Sequence, residues 1–305
     1  MWATLSPPSR KPIPGRRKRE LGVDVKVPKP SSPLFHWQVG LMAVKSLAVR
    51  PISLNLIKQI HSILLDTARG HNKARGSFRT EQNWIGRPGS TIEQASYVPP
   101  PPLGLMIHLD NLEKYVHYDE VDRLVQLAIV HAQFELIHPF LDGNGRVGRI
   151  LIPLFLYEKK LLSSPMFYLS AYLEANRDVY YDRLLGISDK GDWDGWIEFF
   201  LIAVIQQANT NIDKAKAIRD LYEEMKLEFP RITRSPHAIQ ALDALFHMPV
   251  FTRADLIHRS GIPKTSADRI LHSLMNSEYV TRVPGGGGQQ PGMFGLGKLV
   301  KLLED

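Results

Sequence analysis

The stretch His138-Pro139-Phe140-Leu141-Asp142-Gly143-Asn144-Gly145-Arg146-Val147-Gly148-Arg149 constrains this chain more than any other. It sets a titratable base, a carboxylate, a glycine-flanked turn and two arginines side by side. Upstream, apolar residues recur at helical spacing from Val121 to Val130 and on through Phe134 and Ile137. Downstream, Ile150 to Tyr157 fits a second, largely buried helix. The segment reads as helix, tight loop, helix. Its glycines permit positive φ and let N–H groups turn inward, and the second helix adds partial positive charge at its start, so the loop suits an anion. Arg146 and Arg149 lie in the first helical turn and can address one polyphosphate with guanidinium forks. Asp142 is a hard oxygen ligand suited to Mg²⁺. His138, ending the first helix, is placed to take a proton from a hydroxyl near neutral pH.

HPFLDGNGRVGR resembles the signature of Fic-domain proteins, H-P-F-x-[DE]-G-N-G-R-x-x-R, at every fixed position. Further similarity runs from about residue 34 to 208, through Gly76-Ser77-Phe78-Arg79, Gln82-Asn83-Trp84-Ile85-Gly86, Tyr97 to Pro102, and Tyr180-Tyr181. The resemblance implies a mainly α fold: a Fic-type helical domain with a short β-hairpin flap. It also implies a protein adenylyltransferase, moving AMP from ATP to a Ser, Thr or Tyr hydroxyl of a target protein or of itself. His138 would then be catalytic, and Asp142 would bind Mg²⁺. The phosphates would sit on Gly143, Asn144, Gly145, Arg146, Val147, Gly148 and Arg149. Tyr180 and Tyr181 would flank the adenine or ribose, with one of the two rings packed inward. Asn83, Trp84, Ile85 and Gly86 would belong to a flap that lays a target peptide beside the motif by β-strand addition. Trp84 reads equally well as a loop anchor in the core.

Rival readings share the motif. A Doc-like kinase would bind ATP reversed and pass on phosphate, but that branch usually carries Lys where this chain has Gly145. Another nucleotide donor is compatible with the same residues. A DNA-binding regulator with a Fic-type ligand module is the rival from another class, and an intact His138 with both arginines argues for an enzyme instead. Many relatives also carry an inhibitory helix, [ST]-x-x-x-E-[GN]. No match precedes Ser53, Ser77 to Glu81 is followed by Gln82 within the flap, and the C-terminal region offers none. Arg149 is therefore expected either to be unrestrained or to be restrained from elsewhere.

The net charge of +7 over 305 residues belongs mostly to one end. Eight Lys and Arg against two acids in residues 1–30 account for +6 of it, so a nucleic-acid reading from charge alone is weak. Residues 1–33, rich in Pro, Ser and basic side chains, read as a disordered tail, either solvated or a basic arm. Residues 34–230 read as the Fic domain with flanking helices, core about 108–190. Folding is expected from Phe35, with a short helix through Ala48. A further helix is capped by Ser53. Phe78-Arg79 and Asn83-Trp84-Ile85 are placed to pair as a hairpin. A short helix spans Leu109 to Val116, the long motif helix is expected from Asp119, and one or two helices from Trp193 end at Pro230. His131, two turns before His138, reads as a hydrogen-bonded interior residue, since two histidines with no third ligand make a poor metal site. Phe140 is expected to be buried and to pin the loop.

Residues 231–305 read as a separate module: helices from Ile239 to Phe246, Arg253 to Arg259 and Lys264 to Leu274, then Tyr279 to Val283 and Met293-Phe294 around a glycine-rich tip. This resembles a winged helix-turn-helix, with Lys264, Thr265, Ser266 and Arg269 facing DNA, or else a protein-contact or dimer element giving a homodimer. No apolar run approaches the length of a transmembrane helix, so no membrane partner is expected. The absence of cysteine fits a cytoplasmic protein.

Overall fold

The computed structural model describes residues 51–65, 74–87, 89–163, 167–283 and 292–304. The expected basic tail, the helix after Phe35 and the glycine-rich tip lie outside them. Eleven helices are described in chain order: α1 (Leu54–Leu64), α2 (Leu105–His117), α3 (Arg123–Ile137), α4 (Asn144–Glu158), α5 (Ser170–Ala175), α6 (Arg177–Lys190), α7 (Trp193–Thr233), α8 (Ala238–His247), α9 (Arg253–Ser260), α10 (Lys264–Asn276) and α11 (Gly297–Glu304). Strands β1 (Val250–Thr252), β2 (Val280–Val283) and β3 (Met293–Leu296) form one antiparallel sheet in the order β1-β3-β2. Phe251 opposes Phe294, and Val280 opposes Leu296.

Local chemistry explains several helix ends. Ser53 caps α1 by accepting from Leu56 N–H. The motif helix α3 starts later than Asp119, because Asp122, in extended conformation, takes the N–H groups of Leu124 and Val125, while Asp119 pairs with Arg123. Thr252 and Asp255 form a capping box at α9, which Gly261 ends in the left-handed region (φ 65°). Two expectations are corrected. The hairpin between 78–79 and 83–85 does not form. The excursion is closed instead by an isolated antiparallel bridge of Ile85 to Tyr97, and Arg79 N–H bonds Pro139 C=O of the motif loop rather than a hairpin partner. Pro230 does not end α7, which continues to Thr233. Burial of Phe229 and Met225 outweighs the one helix bond that Pro230 forfeits, and the Thr233 hydroxyl bonds Phe229 C=O at 2.7 Å to hold the last turn.

Two apolar cores hang on α7. Its first half brings Trp196, Phe199 and Phe200 against α3, α5 and α6, and the Trp196 indole donates to Ala128 C=O at 2.9 Å. Its second half brings Leu221, Met225 and Phe229 against α8, α10 and α11. No described helix is long and apolar enough to cross a membrane. Removal of the fully buried Phe229 ring by Phe229→Ala should cost about 3–5 kcal/mol, read as a lowered urea midpoint.

Candidate active site

The loop of residues 138–143 is held from beneath by α1 and from one side by residues 76–100. Ile52 and Leu54 N–H groups donate to Glu158 and Glu113 carboxylates at 2.6 and 2.8 Å, fixing the start of α1 against α4 and α2. That places His61, fully buried, under the loop. Its ring stacks on Phe140 at 3.8 Å and 7°. Gly76 N–H donates to its Nδ1 at 2.9 Å, so Nε2 carries the proton and donates to Asp142 C=O at 2.9 Å. Burial lowers its pKa, in keeping with this neutral tautomer. Phe140 is buried as expected, its ring also meeting Phe78. Asn144 finishes the turn: its side-chain amide accepts from Phe140 N–H at 2.8 Å and donates to Phe140 C=O at 2.7 Å.

His138 is the C-cap of α3 and sits in the left-handed region (φ 47°, ψ 60°), a conformation uncommon outside glycine and stable only when the surroundings hold it. Arg79 is what holds it. Among the described residues this buried guanidinium meets no carboxylate and bonds carbonyls instead: His138 at 2.9 Å, Ile137 at 3.3 Å, Glu81 and Pro100, while its own N–H bonds Pro139 C=O. Three of those acceptors lie at the negative end of α3 or just beyond it, where a cation is favoured. Asn83 adds bonds to His138 C=O at 3.3 Å and Phe140 C=O at 2.8 Å. The His138 Nδ1 lies 3.1 Å from Glu135 C=O, so it carries the proton and Nε2 is left as the basic nitrogen. Burial is the main cause that pulls the His138 pKa down to about 4.

Helix α4 opens on Gly143 (φ 84°), which offers no capping side chain, so the N–H groups of Asn144, Gly145 and Arg146 begin the helix uncapped. The arginines fold back over the glycines. A Cβ on Gly143 would lie 3.5 Å from Arg146 Nη2, and one on Gly145 would lie 3.4 Å from Arg149 Nη1. Arg146 also lies 3.7 Å from Asp142 Oδ1, which accepts from Gly143 N–H at 2.7 Å. Val147 is turned away: its side chain is buried and its N–H bonds Gly143 C=O. Gly148 faces α3, where a Cβ would come 2.2 Å from Glu135 Oε1. The chain thus gathers the uncapped helix start, two guanidinium groups, the Asp142 carboxylate and the basic nitrogen of His138 around one loop.

The remaining expected site residues are divided. Tyr180 packs inward beside Trp196, and its hydroxyl lies 3.1 Å from His131 Nε2, which makes His131 the interior hydrogen-bonded residue expected. Tyr181 is 40% exposed under the Arg177 guanidinium. Trp84 is no core anchor: it is 41% exposed, and its indole N–H bonds Ser90 C=O. Gly86 is close to Ser90, whose Oγ would lie 2.5 Å from an added Cβ. Tyr97 ties the excursion to α3 through its hydroxyl and Leu136 C=O. Sequence reasoning missed the roles of Arg79, His61 and Glu135. A lone His on the apolar stripe of α1 was the available signal for His61. No local pattern marks the other two.

Residues 51–156 match the Fic/DOC family, and residues 237–284 match the IclR helix-turn-helix domain. The first span is similar to Fic domains. Over 112 residues the chain is 36% identical to a probable protein adenylyltransferase of Aquifex aeolicus, covering 36% of this chain and 32% of that protein. It is 26% identical over 117 residues to the protein adenylyltransferase Fic of Drosophila erecta, covering 35% and 22%. The chain therefore spans about a third or less of these curated relatives' length. A Fic family protein of Desulfovibrio desulfuricans G20 shares the fold across 86% of this chain and 74% of its own, with TM-score 0.51 and 19% identity. The helical Fic fold and the C-terminal helix-turn-helix expected from sequence are both present.

Helical glycines of this chain differ in what an added methyl would meet. Gly148→Ala should lower Tm, because the methyl meets Glu135 and overpacking costs about 1–3 kcal/mol. Gly186→Ala on α6, where the nearest atom is 3.7 Å away, should instead raise Tm slightly, by a helix gain of about 0.5–1 kcal/mol.

Proposed function

We propose that this chain is a protein adenylyltransferase that transfers AMP from ATP to a Ser, Thr or Tyr hydroxyl of a target protein or of itself, and that it works in the cytoplasm. One observation carries the reading. The Nδ1 of His138 is committed to Glu135 C=O, which leaves Nε2 as the basic nitrogen, and the loop that follows runs into an uncapped helix start over which two arginines fold back. The relatives named protein adenylyltransferases support it further.

In this reading the N–H groups of Asn144, Gly145 and Arg146 and the guanidinium groups of Arg146 and Arg149 hold the β- and γ-phosphates. Asp142 is the residue that would hold Mg²⁺. A single carboxylate supplemented by phosphate oxygens suits that ion, and no three described His, Asp or Glu side chains converge on a metal site of their own. When bound, the ion supplies charge neutralisation to the triphosphate. The target hydroxyl oxygen bonds to the α-phosphorus, the bond from that phosphorus to the bridging oxygen breaks, and pyrophosphate leaves. His138 Nε2 takes the hydroxyl proton. Tyr181, the exposed ring of its pair, covers a base face, and residues Trp84 to Gly86 meet the target while Asn83 secures the loop.

Incubation with α- or γ-labelled ATP and Mg²⁺ tests this. Label from the α position alone is expected, and label from γ alone would make the chain a kinase instead. His138→Ala should lower the transfer rate about 10²–10⁴-fold. A base works only when unprotonated, so kcat/KM should hold as pH falls from 7 and decline on approach to about 4, rather than near the ordinary histidine value.

We also propose that α10 contacts DNA. Lys264, Thr265 and Arg269 are exposed on it, and Asp268, whose charge would oppose a phosphate, is engaged by Arg253. Lys264→Ala should weaken binding to duplex DNA about equally across sequences and flatten its salt slope by about one. An unchanged slope would remove the contact.

A further inference from the structure

Glu135 is a buried carboxyl that the transfer reaction leaves unused. It lies on α3 one turn before His138, is 8% exposed, and its Oε1 accepts no hydrogen bond. The surface of α4 opposite it is made of glycine. A Cβ at Gly148 would overlap Oε1, and one at Gly145 would lie 4.0 Å from each carboxyl oxygen and 3.4 Å from Arg149 Nη1. These two glycine faces form a slot with the carboxyl on one side and the guanidinium on the other.

The groups around Glu135 are few in kind. From α4 comes Arg149, with Arg146 one turn nearer the helix start and paired to Asp142. From α6 comes Tyr180, held protonated chiefly by its burial and next by the Glu135 charge itself. On α3 the neighbours are His131, its pKa pushed by burial to about 3, and His138. From α7 the nearby Trp196 and Phe200 carry no charge, and α2 turns apolar side chains to the core. Arg149 is therefore the cation that bears on Glu135. A phosphate chain at the α4 start would bear on Arg149 too. Two anions sharing one cation in a poorly solvated seam cannot both stay charged at ordinary cost, and the cheaper one to neutralise is the carboxyl.

We propose that Glu135 is a proton-linked antagonist of polyphosphate binding, ionised while it faces Arg149 alone and protonated when a phosphate chain occupies the start of α4. This rests on the nucleotide reading of the site and adds its regulation: loading the site takes up a proton, and rising pH restrains it. Burial already pushes the Glu135 pKa up to about 7, against the pull of Arg149, so the restraint falls in the neutral range. The sign follows from linkage. The free state loses the proton above that pKa while the bound state keeps it, so affinity declines as pH rises.

Calorimetric titration of the full chain with the β,γ-imido analogue of ATP and Mg²⁺ decides it. Above pH 7 the wild-type Kd should weaken about tenfold per pH unit relative to Glu135→Gln, in which the analogue's own titration is the only one left. A measurement that needs no variant is proton uptake at pH 8, where the Mg-bound analogue is fully ionised. Wild-type heats in two buffers of different ionisation enthalpy should give about one proton per analogue bound. Parallel pH dependences of the two proteins, or no uptake by wild type, overturn the proposal while leaving the nucleotide site intact. No binding at all, or equal binding by Arg149→Ala, overturns both.

Discussion

The Arg79 guanidinium is the interaction on which the motif depends. Left without a carboxylate among the described residues and buried, it satisfies its donors on backbone carbonyls at the end of α3 and across the excursion. A buried cation without partners would be costly, so this set of bonds is mutually enforcing: the carbonyls keep Arg79 in place, and Arg79 keeps the carbonyls together. What it holds is a backbone that would otherwise relax, the left-handed His138. Fixing that residue fixes the direction of its ring, and Glu135 C=O then decides which ring nitrogen is basic. Arg79 N–H is spent on Pro139 C=O and Ile85 N–H on Tyr97 C=O, so the backbone donors at both ends of the hairpin expected nearby are committed elsewhere.

Glycine shapes the anion side by leaving things out. Gly143 omits a cap, so N–H groups stay available. Gly143 and Gly145 leave room for the arginines to fold back, and Gly148 leaves room for a carboxyl. The motif thus holds two kinds of charge in one seam: cations presented outward at the helix start and an anion beneath them. Burial, before any neighbouring charge, holds the histidines neutral and raises the carboxyl against the pull of Arg149.

The long helix α7 joins this site to the C-terminal module without a break. Pro230 sits inside it because the aromatic and sulfur side chains of its last turns are worth more in the second core than one backbone bond. Local helix-breaking chemistry loses wherever tertiary burial is large enough, and Pro153 inside α4, flanked by the buried Ile152 and Leu154, is a second case.

What the sequence determined by itself is what depends on near neighbours. The helices on either side of the motif, the Ser53 cap, the turn at Gly143, the arginine spacing, the burial of Phe140 and His131 and the helix-turn-helix order follow from residues a few positions apart, where periodicity and φ preference act. Only the tertiary structure decided the rest. The bond from Arg79 to His138 joins residues 59 apart, and that from His61 to Asp142 joins residues 81 apart. No local pattern records such a pairing, because a buried polar group is satisfied by whatever acceptor folding brings near. The seating of Tyr180 inward and Tyr181 outward and the carboxyl of Glu135 against Gly148 belong to the same class: each was settled by burial, which only the packed chain defines.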